Sequence, residues 1–140
     1  MRTSSGIEYQ VLNALLCEDA RKDKLEKDIL IGVFSGNISV SEFPANIPLA
    51  VWLNLAVSGA GKDAINVRLT CPGRNNTISG RFELEKKEAA RELISVSTPT
   101  ALVNLKKPGK LRFQIQQASG RWKTVLSKDV SLRSEKAIEA

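Results

Sequence analysis

The sequence predicts an all-β protein, an antiparallel β-sandwich of seven or eight strands with one short connector helix. Three observations carry this expectation. Short runs in which apolar and polar residues alternate recur along the chain, as they do in extended strands that bury one face. Turn residues separate these runs, as in Ser58-Gly59-Ala60-Gly61, Pro72-Gly73-Arg74-Asn75 and Pro108-Gly109. Helical periodicity is scarce, and 140 residues with 42% hydrophobic and 26% charged side chains suit one globular unit with one core. A facing sheet would bury the remaining apolar face of each strand, with a small barrel as the alternative closure.

The first strand is expected over about Tyr9 to Cys17, where Val11, Leu12, Ala14, Leu15 and Leu16 are apolar on both faces. Glu18 to Asp28 holds nine charged residues among eleven and reads as a solvated connector into Ile29-Leu30-Ile31-Gly32-Val33-Phe34. A bend at Ser35-Gly36-Asn37 precedes Ile38 and Val40. Two prolines in Phe43-Pro44-Ala45-Asn46-Ile47-Pro48 withhold backbone donors, so this segment should cross between sheets. Val51, Leu53, Leu55 and Val57 then share a face, and Ile65, Val67, Leu69 and Cys71 repeat the alternation after Ser58 to Asp63. That pair reads as a hairpin. Ile78, Phe82 and Leu84 continue the pattern, with Gly80 marking a bulge. Glu85 to Leu93 reads as the connector helix. Ala101 to Leu105, then Leu111, Phe113 and Ile115, then Trp122, Leu126, Val130 and Leu132 supply the last strands, with a tight turn at Ser119-Gly120. Ser134 to Ala140 reads as a short helix or a frayed tail. With neither an internal repeat nor a low-complexity linker, residues 1–140 are expected to form a single sandwich of immunoglobulin-like or C2-like type.

The block Cys17-Glu18-Asp19-Ala20-Arg21, followed by Leu30-Ile31-Gly32-Val33-Phe34-Ser35-Gly36, Phe43-Pro44 and Ile47-Pro48, resembles an uncharacterised family of small bacterial domains of unknown function. The resemblance covers roughly the first 50 residues. It implies a compact β-sandwich and carries no activity or catalytic residue over to this chain.

Histidine is absent, which removes the commonest general base, the commonest zinc ligand and every Ser-His or Cys-His pair. A non-catalytic protein without cofactor or metal is the expectation. The start Met1 to Gln10 has no apolar run of the secretory type, and the longest apolar stretch, Ile47 to Val57, is too short to span a bilayer. A cytoplasmic location without membrane contact follows as an expectation.

Charge is distributed unevenly. Residues 1–70 hold seven Lys/Arg and eight Asp/Glu, whereas residues 71–140 hold fourteen and seven, so the net charge of +6 is entirely C-terminal. If Leu111, Phe113, Ile115 and Trp122 point inward, Arg112, Arg121 and Lys123 point outward and share a face with Lys106, Lys107 and Lys110. Such a face could attract nucleic acid or an acidic partner, or could simply guard an edge strand with charge. No aromatic is interleaved to stack on bases. Trp52 points away from Val51, Leu53 and Leu55, and is either covered or part of an interaction patch.

Three other motifs have plainer explanations. Ser58-Gly59-Ala60-Gly61-Lys62-Asp63 fails the phosphate-loop pattern, with Ala56 where its first glycine belongs. The carboxylates Glu18, Asp19, Asp23, Glu26 and Asp28 are interleaved with Arg21, Lys22, Lys24 and Lys27 and read as ion pairs rather than a calcium site. Cys17 and Cys71 read as buried free thiols. The expected function is an interaction or assembly module for a protein partner, with a homo-oligomer or nucleic-acid binding as further options.

Overall fold

The computed structural model describes residues 6–117 and 120–133. The described residues form ten strands and no helix: β1 (Glu8–Lys22), β2 (Asp28–Val33), β3 (Ile38–Val40), β4 (Ala45–Ser58), β5 (Gly61–Thr70), β6 (Thr77–Lys86), β7 (Glu92–Ser97), β8 (Ala101–Leu105), β9 (Gly109–Gln117) and β10 (Lys123–Leu132). The first sheet runs β2-β1-β4-β7, with β8 continuing along β4, and the second runs β3-β10-β9-β5-β6. The all-β sandwich is therefore as the alternation predicts. Every pairing is antiparallel except β3 with β10, which is parallel.

The core is made by the alternating rows. Leu49, Val51, Leu53, Leu55 and Val57 on β4 join Ile65, Val67 and Leu69 on β5 and Leu111, Phe113 and Ile115 on β9 in one buried cluster. A fully buried Leu, Val or Phe contributes about 1.5–3 kcal/mol relative to exposure. β4 takes the largest share because it pairs with β1 on one side and with β7 and β8 on the other. No buried polar or charged residue interrupts this interior among the described residues.

Several local expectations are corrected. Ten strands replace seven or eight, in part because the charged segment is no loop: β1 continues to Lys22 and turns at 23–27 into β2, with Lys22 opposite Asp28. Mixed charges suit an exposed ribbon as well as a loop. The connector helix at Glu85–Leu93 is absent, since β6 extends to Lys86 opposite Gly61 and β7 begins at Glu92. Nine residues are too few to hold an isolated helix, and the Ala89 carbonyl instead accepts a bond of 3.0 Å from the Gly59 amide. Gly80 marks no bulge, because the β5–β6 register is unbroken from Gly61↔Lys86 to Thr70↔Thr77.

The largest correction concerns Ser58–Gly61. β4 and β5 do not pair with each other; they belong to opposite sheets, so the turn is an arch across the core rather than a hairpin. Alternation looks the same in both arrangements. The segments 34–37 and 41–44 also cross between sheets, the latter through a cis Phe43-Pro44 bond, in keeping with the role read from the prolines. The reading of 134–140, and Ser119 of the expected Ser119-Gly120 turn, lie outside the described residues.

Cys71 joins the core and burial pushes its thiol up to about 11, whereas Cys17 is buried beside Ala50; both are free. In the arch, Gly59 has φ +84°, and a Cβ there would fall on the Gly6 carbonyl. Gly59→Ala should destabilise the protein by about 2 kcal/mol or more in urea unfolding, since it adds left-handed strain to a backbone collision.

Candidate functional site

Because Ile65, Val67, Leu69, Phe113 and Ile115 face the core, alternation sends Asn66, Arg68 and Thr70 of β5 and Arg112, Gln114 and Gln116 of β9 to the outer face of the second sheet. The register places Thr70 beside Arg112, Arg68 beside Gln114 and Asn66 beside Gln116. A ladder of side-chain hydrogen bonds crosses the strands there. Arg68 Nε donates to Gln114 Oε1 at 2.7 Å, and Gln114 Nε2 donates to Thr124 Oγ1 at 3.1 Å. One row away, Asn66 Nδ2 donates to Gln116 Oε1 at 3.2 Å.

Trp122 stands on this outer face, not in the core as its spacing from Leu126 suggests. The Arg68 guanidinium lies 4.1 Å from the centre of its ring, within cation–π range. The cause is a register shift between Thr124 and Leu126: Thr124 pairs with Gln114 and Leu126 with Phe113, so Val125 is an extra residue. A bulge inverts the facing of everything before it. Arg68 and Trp122 are the members of this face that the basic-hairpin reading omits. Arg68 was open to inference from its position between Val67 and Leu69, whereas no glycine or proline signals the bulge.

The same bulge turns Lys123, and Arg121 before it, away from the facing read from the sequence. Lys106 and Lys107 lie in the β8–β9 turn and Lys110 and Arg112 on the first half of β9, whereas Arg121 and Lys123 follow its far end. Lys123 lies opposite Ile115, three residues beyond Arg112, so at about 3.4 Å per residue the nearest members of the two groups are roughly 10 Å apart along the sheet, about one Debye length. Lys123 pairs with the inward-facing Ile115, and with Arg121 it borders a hollow shared with Tyr9 and Gln10 of β1. Lys110 Nζ donates to Asp129 at 2.8 Å, and Lys106 Nζ to the Arg74 carbonyl at 3.3 Å. Of the six bases named from the sequence, Lys110 and Arg112 stand on the outer face of β9 with Arg68 and Trp122, and Lys110 is engaged by Asp129.

On the first sheet, Trp52 is half-buried, flanked by Leu15 and Ser97. Side chains from the end of the β1–β2 ribbon close across β4 in this region. Thr100 Oγ1 donates to Asp19 at 2.7 Å, and Ser95 Oγ donates to Asp28, which also accepts from Lys22 Nζ at 3.0 Å. The Trp52 ring nitrogen is enclosed without an acceptor in hydrogen-bonding geometry, its N–H acting on Asp28 as a more distant dipole. Burial pushes the Asp28 carboxyl up, but Ser95, Lys22 and Trp52 together hold it below its ordinary value. Asp19 is lowered by the Thr100 hydroxyl first and by Arg21 second. The acidic segment thus forms local pairs, and among the described residues no three Cys, Asp or Glu side chains converge on a metal-sized position.

Farther out, β2 ends the first sheet and pairs with β1 alone among the described residues. Ile29, Ile31 and Val33 alternate along it and are 44, 45 and 43% exposed. Among the described residues no helix is long and apolar enough to cross a membrane.

No protein family model and no curated protein matches the chain, in agreement with its resemblance to a family without an assigned activity. Among solved structures it is similar to a β-glucosidase from Listeria innocua in complex with glucose, at 11% identity and a TM-score of 0.47, covering 89% of this chain and 16% of that one. It is also similar to a β-glucosidase from Erythrobacter marinus, at 10% identity and a TM-score of 0.47, covering 89% and 15%. The chain spans about one sixth of the length of either enzyme.

A carboxyl whose folded pKa lies below its unfolded value stabilises the fold above the unfolded pKa, about 4, and loses that contribution as pH falls through the folded value. Asp28→Asn should therefore cost about 1 kcal/mol at pH 7. The difference from wild type should shrink as pH falls below about 4, measured by urea unfolding across pH with tryptophan fluorescence.

Proposed function

We propose that this chain is a non-catalytic β-sandwich interaction module that docks a protein partner through the edge of β2. The supporting observation is the row Ile29, Ile31 and Val33, three β-branched side chains left exposed on an edge strand. Natural sheets guard such edges with charge, proline or extreme shortness. The long edge strand β6 carries Arg81, Glu83, Glu85 and Lys86, and the edge strand β3 is three residues long. Between Asp28 and Val33, β2 carries no such guard. Backbone pairing with an added strand, with alternate side chains setting specificity, suits that edge. With wild type as bait, Ile29→Lys/Ile31→Lys should lose the captured partner, or self-association in sedimentation, while the melting midpoint stays within a few degrees. Retention of every partner by that variant contradicts the reading.

A second reading, electrostatic binding of nucleic acid, is supported by Trp122 beside Arg68 on the face that carries Arg112. Stacking on an aromatic contributes about 1–3 kcal/mol per base, and phosphate contacts make affinity fall with salt. A labelled oligothymidine should bind at low ionic strength and lose about tenfold or more in affinity on Trp122→Ala or on Arg68→Ala/Arg112→Ala. Lys106→Glu/Lys107→Glu should weaken it less. Absence of binding at low salt removes this reading.

A further inference from the structure

The two sheets leave a gap along one side. Between β6, at the edge of the second sheet, and the break between β7 and β8, at the edge of the first, lies a cleft of about 340 Å³. Val51 and Leu49 wall it from the first sheet, and Val67, Leu69, Phe82 and Phe113 from the second. Its volume is in the range of small-molecule sites, about 300–1,000 Å³, and such sites combine apolar walls with a few polar groups.

The sequence makes this gap in two places. On β6 the inward row reads Ile78, Gly80, Phe82, Leu84, with Gly80 opposite Val67, so a side chain is missing where the row should cover the core. The backbone does not require glycine there. The register is unbroken, Gly80 is not in the left-handed region, and a Cβ would meet only Val67 Cγ2 at 3.4 Å, an ordinary contact. Glycine inside a strand weakens it and often marks the approach of a ligand. Opposite, Thr98-Pro99-Thr100 interrupts the strand that follows β4: Thr98 spends its amide on the Val51 carbonyl, and its Oγ1 accepts from the Val51 amide at 2.9 Å.

Charge at the mouth decides the class of occupant. Arg81 Nε is already 3.0 Å from Glu83 Oε1, and Asp19 accepts from both Thr100 and Arg21. The walls themselves carry no charge, so a charged ligand seated against Val67, Leu69 and Phe113 would lose hydration there, with Arg81 and Asp19 at the mouth already engaged by Glu83, Thr100 and Arg21. The Thr98 hydroxyl oxygen is an acceptor in its bond to Val51, which leaves its proton for a ligand carbonyl or hydroxyl. We propose that this cleft binds a small uncharged apolar molecule, with an aromatic or short-chain body against Val67, Leu69 and Phe113 and one hydrogen-bonding group toward Thr98.

The test uses N-phenyl-1-naphthylamine, an uncharged dye that brightens in apolar surroundings, and its sulfonated analogue 8-anilino-1-naphthalenesulfonate. Wild type should bind one equivalent of the first and bind the second at least tenfold more weakly. Gly80→Val and Gly80→Leu, which project into the cleft, should weaken the neutral dye progressively, by tenfold or more for leucine, without lowering the melting midpoint. Ile29→Lys/Ile31→Lys should bind it as wild type does, which separates the cleft from the β2 edge. The proposal is overturned if wild type does not bind the neutral dye, if folded Gly80→Val binds it unchanged, or if the sulfonate binds as well. Should leucine reduce stability, the valine variant decides.

Discussion

Everything else in this structure depends on the inner row of β4 lying against the inner rows of the opposite sheet. Leu49, Val51, Leu53, Leu55 and Val57 are shielded from water only because Ile65, Val67, Leu69 and Phe113 face them. The arch at Ser58–Gly61 makes this geometry cheap to reach. It delivers β5 into the second sheet within two residues of β4, with Gly59 and Gly61 at positive φ, where other residues would be strained. Two consecutive strands thus lie in two different sheets, and hydrophobic burial rather than mutual backbone pairing holds them against each other.

The two outer faces then acquire different characters from the same alternation. The second sheet turns Arg68, Gln114 and Arg112 outward into a bonded polar surface, and the extra residue Val125 rotates Trp122 onto it. The C-terminal excess of positive charge is spread along β9 and the turns at its two ends. Within it, Lys110 is paired with Asp129. On the first sheet the end of the β1–β2 ribbon is pinned across β4 through Asp19 and Asp28, while β2 itself keeps an apolar edge.

Much of the fold was legible in the sequence because period-two alternation survives single-residue errors. Val51 to Val57 and Ile65 to Cys71 are strands with buried rows, as read, and Cys71 is in the core. Partner choice was not legible: an arch and a hairpin present the same alternation, and β4 and β5 each pair elsewhere. Ala89, Ala90 and Leu93 imitate a helical stripe, but the stretch is too short and its Ala89 carbonyl is used by the arch. The site was less legible than the fold. Alternation carried from Leu126 back to Trp122 predicts an inward ring, and one bulge without glycine or proline reverses it. Gly80 is visible in the sequence as an interruption of the inward row, but its effect is an absent side chain rather than an altered register.

Interstrand nuclear Overhauser effects between backbone protons test the arch most directly. The structure predicts cross-strand contacts for Leu69 with Phe113 and with Ile78, and for Leu53 with Ala14 and with Val96, and none between the backbones of β4 and β5 beyond the turn. A ladder of α-proton contacts linking Val57 and Leu55 to residues 62–65 would place both strands in one sheet and contradict the account.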